Sequence, residues 1–248
     1  MISTHAMVSS KAALGKNIQV GPYTIIHDNV IVGNNCIIGS HCEIGVANSL
    51  SNGKLLYIGN NSHIRSHSVF YEGSKFGDEL VTGHQVTVRE RTQAGKGLQV
   101  GTNSDIQGHC QIGDYVKLHS NVFIAHETII QDFVWLFPFV VITSDPHPPS
   151  ETLVGAQVKS FAAIAANSVI LPGAILHEGC LVAANSTVKG ELLSNHLYAG
   201  SPATNKGSLS RIKIQGTDFD AYPWRRHFHR GYPEGVVNKW IKEFDSHE

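Results

Sequence analysis

Fifteen histidines lie within 248 residues, and each could take or give a proton near neutral pH. A correctly placed base of this kind accelerates a proton-coupled step by about 10²–10⁴. Residue type cannot choose among fifteen, so spacing must. His126 is followed directly by Glu127, an imidazole beside a carboxylate. His147 lies between Pro146 and Pro148, which restrict it, with Asp145 two residues before. His84 has no such neighbour, and its case depends on what the fold stacks above and below it.

The elements that position these residues are set by an apolar ladder with a period of six. It runs from Ile58 to Ile142, and only Thr82 and Ala94 among its rungs are not large and apolar. An earlier run extends from Ile2 to Ile44, and a later one from Val158 to Val188. This period fits neither an α-helix nor an alternating strand. It predicts an all-β parallel β-helix in which each hexad is a short strand and a corner. Three hexads close a coil, so residues 18 apart stack along the axis. Each coil needs its neighbours to bury its inner face, which favours one elongated solenoid.

The third position after each rung is rich in Asn and Gly, which tolerate the positive φ of a tight corner. His5, His41, His67 and His109 share that slot and read as corner residues. Cys36, Cys42, Cys110 and Cys180 fall four residues after a rung, a second inward slot for small side chains. They read as core thiols.

The register breaks at residues 47–57, as a two-residue slip, and at 143–157, as a ten-residue insertion with three prolines. A long loop on a regular solenoid is usually functional. The ladder is expected to end at Val188. The solenoid domain is therefore placed at 1–202 and a capping or interface tail at 203–248. A short helix is expected near Gly235–Asp245, and the tail's arginines offer phosphate or cofactor binding as an alternative role.

A net charge of -1 without a long basic run argues against nucleic acid as the main partner. No signal-like N-terminus or membrane-length apolar stretch is present, so a cytoplasmic protein with no membrane partner is expected.

The glycines that follow the rungs (Gly21, Gly33, Gly39, Gly59, Gly83, Gly101, Gly113), "ILPGA" at 170–174 and "AGSPA" at 199–203 resemble the hexapeptide-repeat acyltransferases. The resemblance covers roughly residues 1–205. It implies a left-handed β-helix, a homotrimer, and acyl-CoA or acyl carrier protein as donor. "TGHQVTVRE" (82–90) and "VGTNSDI" (100–106) most resemble the branch that N-acylates amino sugars carried on nucleotides. "FIAHET", with His126 and Glu127, is similar to the His-acid step of the acyltransferases that make lipid A.

Within that frame, one column stacks Ser66, His84, Thr102, Ser120 and Pro138, and then Ala166 and Ala184. At about 4.8 Å per coil, His84 and Ala166 lie roughly 19 Å apart. Such a strip of small residues suits the pantetheine arm of acetyl-CoA. The expected site therefore has His84 as base with His126 as the second choice, and Glu90, Asn103, Asn121, Asp145 and His147 around the acceptor. Ala165, Ala166, Ala183, Ala184 and Lys189 are expected to hold the donor, and no metal is expected. His84 and His126 differ in height by roughly 11 Å, so at most one is the base. The alternatives are O-acetylation of a sugar or serine hydroxyl, a γ-class carbonic anhydrase-like zinc enzyme, and a non-catalytic scaffold. Gln131 stands where the anhydrase pattern would need a histidine five residues after His126.

Overall fold

The computed structural model describes residues 1–245. Its strands are mostly two residues long and form three parallel sheets on the sides of a prism. Sheet one runs from Met7–Val8 to Thr187–Val188, and sheet two from Ala13–Leu14 to Glu191–Leu192. Sheet three runs from Gln19–Val20 to His196–Ala199, and Thr204–Ser208 pairs antiparallel with its last strand. Strands two to four residues long would not survive alone. Each is held by its neighbours above and below, and by a rung that points into a continuous core. Phe70 and Phe76 are fully buried and meet edge-on at 5.3 Å. Burying a side chain of this kind stabilises by about 1.5–3 kcal/mol.

The second inward slot also behaves as its small residues require. The four cysteines are free and buried, and burial pushes the thiols of Cys110 and Cys180 up to about 12. Asn17, Asn35 and Asn61 adopt positive φ at successive corners. Their amides form a ladder, with Nδ2 of Asn17 donating to Asn35 at 3.0 Å and Nδ2 of Asn35 to Asn61 at 3.2 Å. His41, His67 and His109 also have positive φ, as corner residues do. Glycine after a rung has a different cause. A Cβ on Gly59 would lie 2.4 Å from the carbonyl carbon of Gly77 on the next coil.

Two features of the register depart from expectation. Val30 pairs with Leu56, 26 residues on instead of 18, so the first break is an eight-residue insertion. Read modulo six, eight residues look like a slip of two. The solenoid also continues past Val188. Leu176 pairs with Leu192 and Val182 with Tyr198, so the last coil is two residues short and the ladder changes phase. The second insertion has the expected length, since Ile130 pairs with Val158 at a separation of 28. Both insertions leave the corner between sheets one and two.

Beyond Thr204–Ser208 the chain folds back along the flank of the solenoid at the corner between sheets two and three. There Tyr115, Phe133 and Phe161 occupy left-handed corner positions and stack at 5.5 and 5.1 Å. Bulky residues at positive φ cost about 1–3 kcal/mol each and persist only where the surroundings hold them. Here the tail does so. The Trp224 indole donates to the Phe161 carbonyl at 3.0 Å, and the Trp135 indole to the Tyr232 hydroxyl at 2.8 Å. Trp240, on helix α1 (Glu234–Asp245), is buried against Phe133 and Tyr232. Arg225 lies against the Phe161 ring and binds Glu243.

Two substitutions separate these layers. Gly59→Ala should lower the unfolding free energy by about 1–3 kcal/mol through overpacking between coils, read by urea denaturation. Trp240→Ala should release the tail to limited proteolysis while the coils upstream of residue 203 stay protease-resistant.

Candidate functional site

Each strand of sheet one delivers the residues that follow it to the corner shared with sheet two. After Phe123–Ile124, Ile124 is buried, Ala125 is buried at the bend, and Thr128 returns inward with its hydroxyl on the Ala125 carbonyl at 2.8 Å. His126, between them, is turned outward and half-buried. One coil later the long insertion (residues 143–156) leaves the same corner and closes over it. The result is a groove of ≈ 780 Å³ lined by His126, Gln107, Phe123, Asp145, Lys189 and Pro172, among others.

Polar groups converge below this groove. Glu90 has a side chain with 0% exposure, and it accepts hydrogen bonds from Asn48 Nδ2 at 2.7 Å and from Arg89. Asn48 comes from the first insertion, so both insertions build on the same polar edge. Burial pushes the Glu90 carboxyl up, but Asn48, a backbone hydrogen bond and Arg89 outweigh it and hold it below the usual range. Asp105 is raised, chiefly by burial, against the smaller opposing effects of Gln107, Arg89 and His126. Its Oδ2 accepts from Gln107 at 2.7 Å, while its Oδ1 is buried with no hydrogen-bond partner among the described residues. His126 is held below its ordinary value, first by burial, then by Arg89 and His109, against Glu90 and the Gly108 backbone. A neutral imidazole at pH 7 follows, with a lone pair available to accept a proton.

The other expected residues are distributed over different edges. His84 is exposed at the corner between sheets three and one, outside the groove, and its Nδ1 lies 2.7 Å from Ser66 Oγ. That contact follows the expected column, as does the bond from the His84 backbone to Thr102 Oγ1 at 3.2 Å. Asn103 and Asn121 are positive-φ corner residues of the same edge. Asp145 lines the groove but is occupied in folding the loop. It accepts from Ser150 Oγ at 2.7 Å and from the His147 amide at 3.2 Å. His147 is exposed at the loop's outer side. Glu127 adopts positive φ, and no hydrogen bond joins it to His126 among the described residues. Lys189 lines the groove beside His126. Ala165 and Ala183 line a separate apolar slot of ≈ 520 Å³ whose opposite wall is Tyr222, Trp224 and Phe228 of the tail. Ala166 is half-buried and Ala184 exposed, both outside that slot. A single chain therefore puts the alanine strip and His126 on opposite edges of sheet one.

Sequence reasoning missed Asn48, Arg89, Asp105 and Gln107. The signal for the last three was present, since they occupy outward positions one or two coils from His126. Asn48 was hidden by the uncertain length of the first insertion. Among the described residues, no group of three or more His, Cys, Asp or Glu could together hold a metal ion. No helix among them is long and apolar enough to cross a membrane.

The hexapeptide-repeat model of bacterial transferases (six repeats) matches residues 11–45. No curated protein matches the chain. Three solved UDP-N-acetylglucosamine acyltransferases are similar in structure. The Arabidopsis enzyme is 18% identical, with 84% of this chain and 74% of that one covered, at a TM-score of 0.54. The Campylobacter jejuni enzyme is 17% identical, with 98% and 83% covered, at 0.53. The Bacteroides fragilis enzyme is 15% identical, with 96% and 81% covered, at 0.51. At such identities the likeness is one of fold. With the repeat, the strand pairing and these neighbours in agreement, the chain has the left-handed parallel β-helix fold seen in those acyltransferases, and its residues 11–45 match the hexapeptide-repeat model.

Proposed function

We propose that this protein is an acyltransferase that moves an acyl group from a thioester donor to a sugar carried on a nucleotide, with His126 as general base. The observation that carries this reading is the groove itself. A histidine whose surroundings favour its neutral form faces a groove lined by the longer of the two inserted loops. Neutral His126 removes the acceptor's proton as its nitrogen or oxygen attacks the thioester carbonyl. The imidazolium then returns that proton to the departing thiolate. Gln107 and Lys189 line the same groove as a hydrogen-bonding group and a cation for the substrates.

The resemblance to the amino-sugar branch favours N-acetylation with acetyl-CoA. One observation favours a hydroxyl acceptor instead. A hydroxyl needs a base far more than an amine of lowered pKa does, and the histidine that carries the amino-sugar resemblance, His84, lies outside the groove. In a trimer, the alanine edge of one protomer facing the His126 edge of the next would place a donor beside the base. That arrangement would reconcile the two edges of sheet one.

His126→Ala should lower turnover by about 10²–10⁴, measured as thiol release from acetyl-CoA and longer acyl thioesters with nucleotide-linked amino sugars and their hydroxyl counterparts. His84→Ala should change it less than about threefold. The reverse ranking would make His84 the base, and no release with any pairing would remove the enzyme reading. The acid limb of the rate should fall below the ordinary histidine value of about 6.5, because His126 must be neutral to act and its surroundings disfavour its protonation. A limb above that value would exclude His126.

A further inference from the structure

Sheet three carries a second cavity, away from the His126 groove, of ≈ 650 Å³. Its floor follows from the register. Val81, Gln99, Lys117 and Trp135 are partners on successive strands and present outward side chains in one column. Two residues further on, Arg65, Gly83, Gly101 and His119 form the neighbouring column. The two glycines are required by the close approach of the next coil, since a Cβ on either would lie 2.3 Å from its backbone. They also leave a trough. At about 4.8 Å per coil, Arg65 and His119 stand roughly 14 Å apart with nothing but glycine between them. The returning tail supplies the remaining wall with Phe228, Arg230 and Gly231.

Four cationic or titratable basic side chains (Arg65, Lys117, His119 and Arg230) thus line one cavity, and none of its lining residues is acidic. Lys117 is the telling member. It is 7% exposed, and its ammonium lies over the rings of Tyr232 at 4.2 Å and Trp135 at 4.7 Å. It has no carboxylate or hydrogen-bond acceptor among the described residues. Ring faces balance part of the charge, and the three N–H donors, with no protein acceptor among the described residues, are left to whatever occupies the cavity that Lys117 lines. Gly231 keeps the space beside it open, because a Cβ there would meet Lys117 Nζ at 3.0 Å. Burial, with Arg230 second, holds the lysine below its usual value, and burial, with Lys117 second, does the same to His119. Both groups would gain from an anion.

We infer that the cavity between sheet three and the tail binds a phosphate group, held by Lys117, His119 and Arg230, with the rest of the ligand lying along Gly101 and Gly83 toward Arg65. A phosphate oxyanion supplies the acceptors that Lys117 lacks and the charge that the cluster lacks. Trp135 and Phe228 at the rim give an apolar surface for what the phosphate carries. This site does not depend on the acyl-transfer reading, and it makes the tail part of a binding site as well as a structural clasp.

Calorimetric titration of the full chain with pyrophosphate, uridine diphosphate and octyl phosphate tests the inference. Pyrophosphate should bind, and the tighter of the two esters identifies whether a nucleoside or an alkyl group follows the phosphate. Lys117→Met, which keeps the stem packed on the rings, should weaken binding at least tenfold. Arg230→Gln, at an exposed position, should weaken it several-fold without loosening the tail, and it decides the matter if Lys117→Met fails to fold. His126→Ala should leave the pyrophosphate and octyl phosphate affinities unchanged. Absence of binding by all three probes, or affinities unaltered in the folded Lys117 and Arg230 variants, would overturn the assignment.

Discussion

The close approach of successive coils governs this molecule. Backbones separated by about 4.8 Å leave no room for a Cβ after many rungs, which is why Gly59, Gly83 and Gly101 cannot be replaced without moving a neighbouring coil. The same approach makes nearly every six-residue turn of the solenoid end in a left-handed corner. It also forces polar corner groups to find partners directly above or below. Asn17, Asn35 and Asn61 bond each other for that reason, and so do Ser66 and His84. Function inherits the constraint. A side chain on this scaffold can cooperate only with its own column, the adjacent column, or something that folds over them.

Two things fold over them, and they create the two cavities of interest. The inserted loop at 143–156 covers the edge between sheets one and two and encloses His126. The tail covers the flank of sheet three and encloses Lys117. Beside the first, the Glu90 side chain is buried and one Asp105 oxygen has no hydrogen-bond partner among the described residues. Beneath the second lie three stacked aromatic residues at positive φ and an ammonium ion among rings.

The six-residue ladder made the sheets, the core slots and the stacking columns legible, because coil geometry translates directly into sequence separation. The first insertion was not legible in length. A period of six cannot distinguish two extra residues from eight, and only the pairing of Val30 with Leu56 decides. The continuation to Tyr198 was hidden for the same reason, a two-residue deletion that shifted the phase. The tail's docking site did leave a trace. Tyr115, Phe133 and Phe161 replace Asn or Gly at consecutive corners, a choice that costs conformational energy and that the tail packed on them offsets.

The ranking of His84 above His126 shows where columns stop being informative. Stacking gives position along the axis and around it, but not how far a side chain is buried or which charges the neighbouring columns and loops bring to it. His84 stands at an open corner beside a serine, and its surroundings are solvent. His126 has the same backbone setting two coils higher on another edge, yet the loop and the Arg89–Glu90 pair change its chemistry. A loop without periodicity contributes nothing to a periodic reading except its existence. Its closure over one edge depends on Asp145 gathering Ser150 and the His147 amide into a compact turn. Asp145, expected at the acceptor, thus also shapes the loop that lines the groove beside His126.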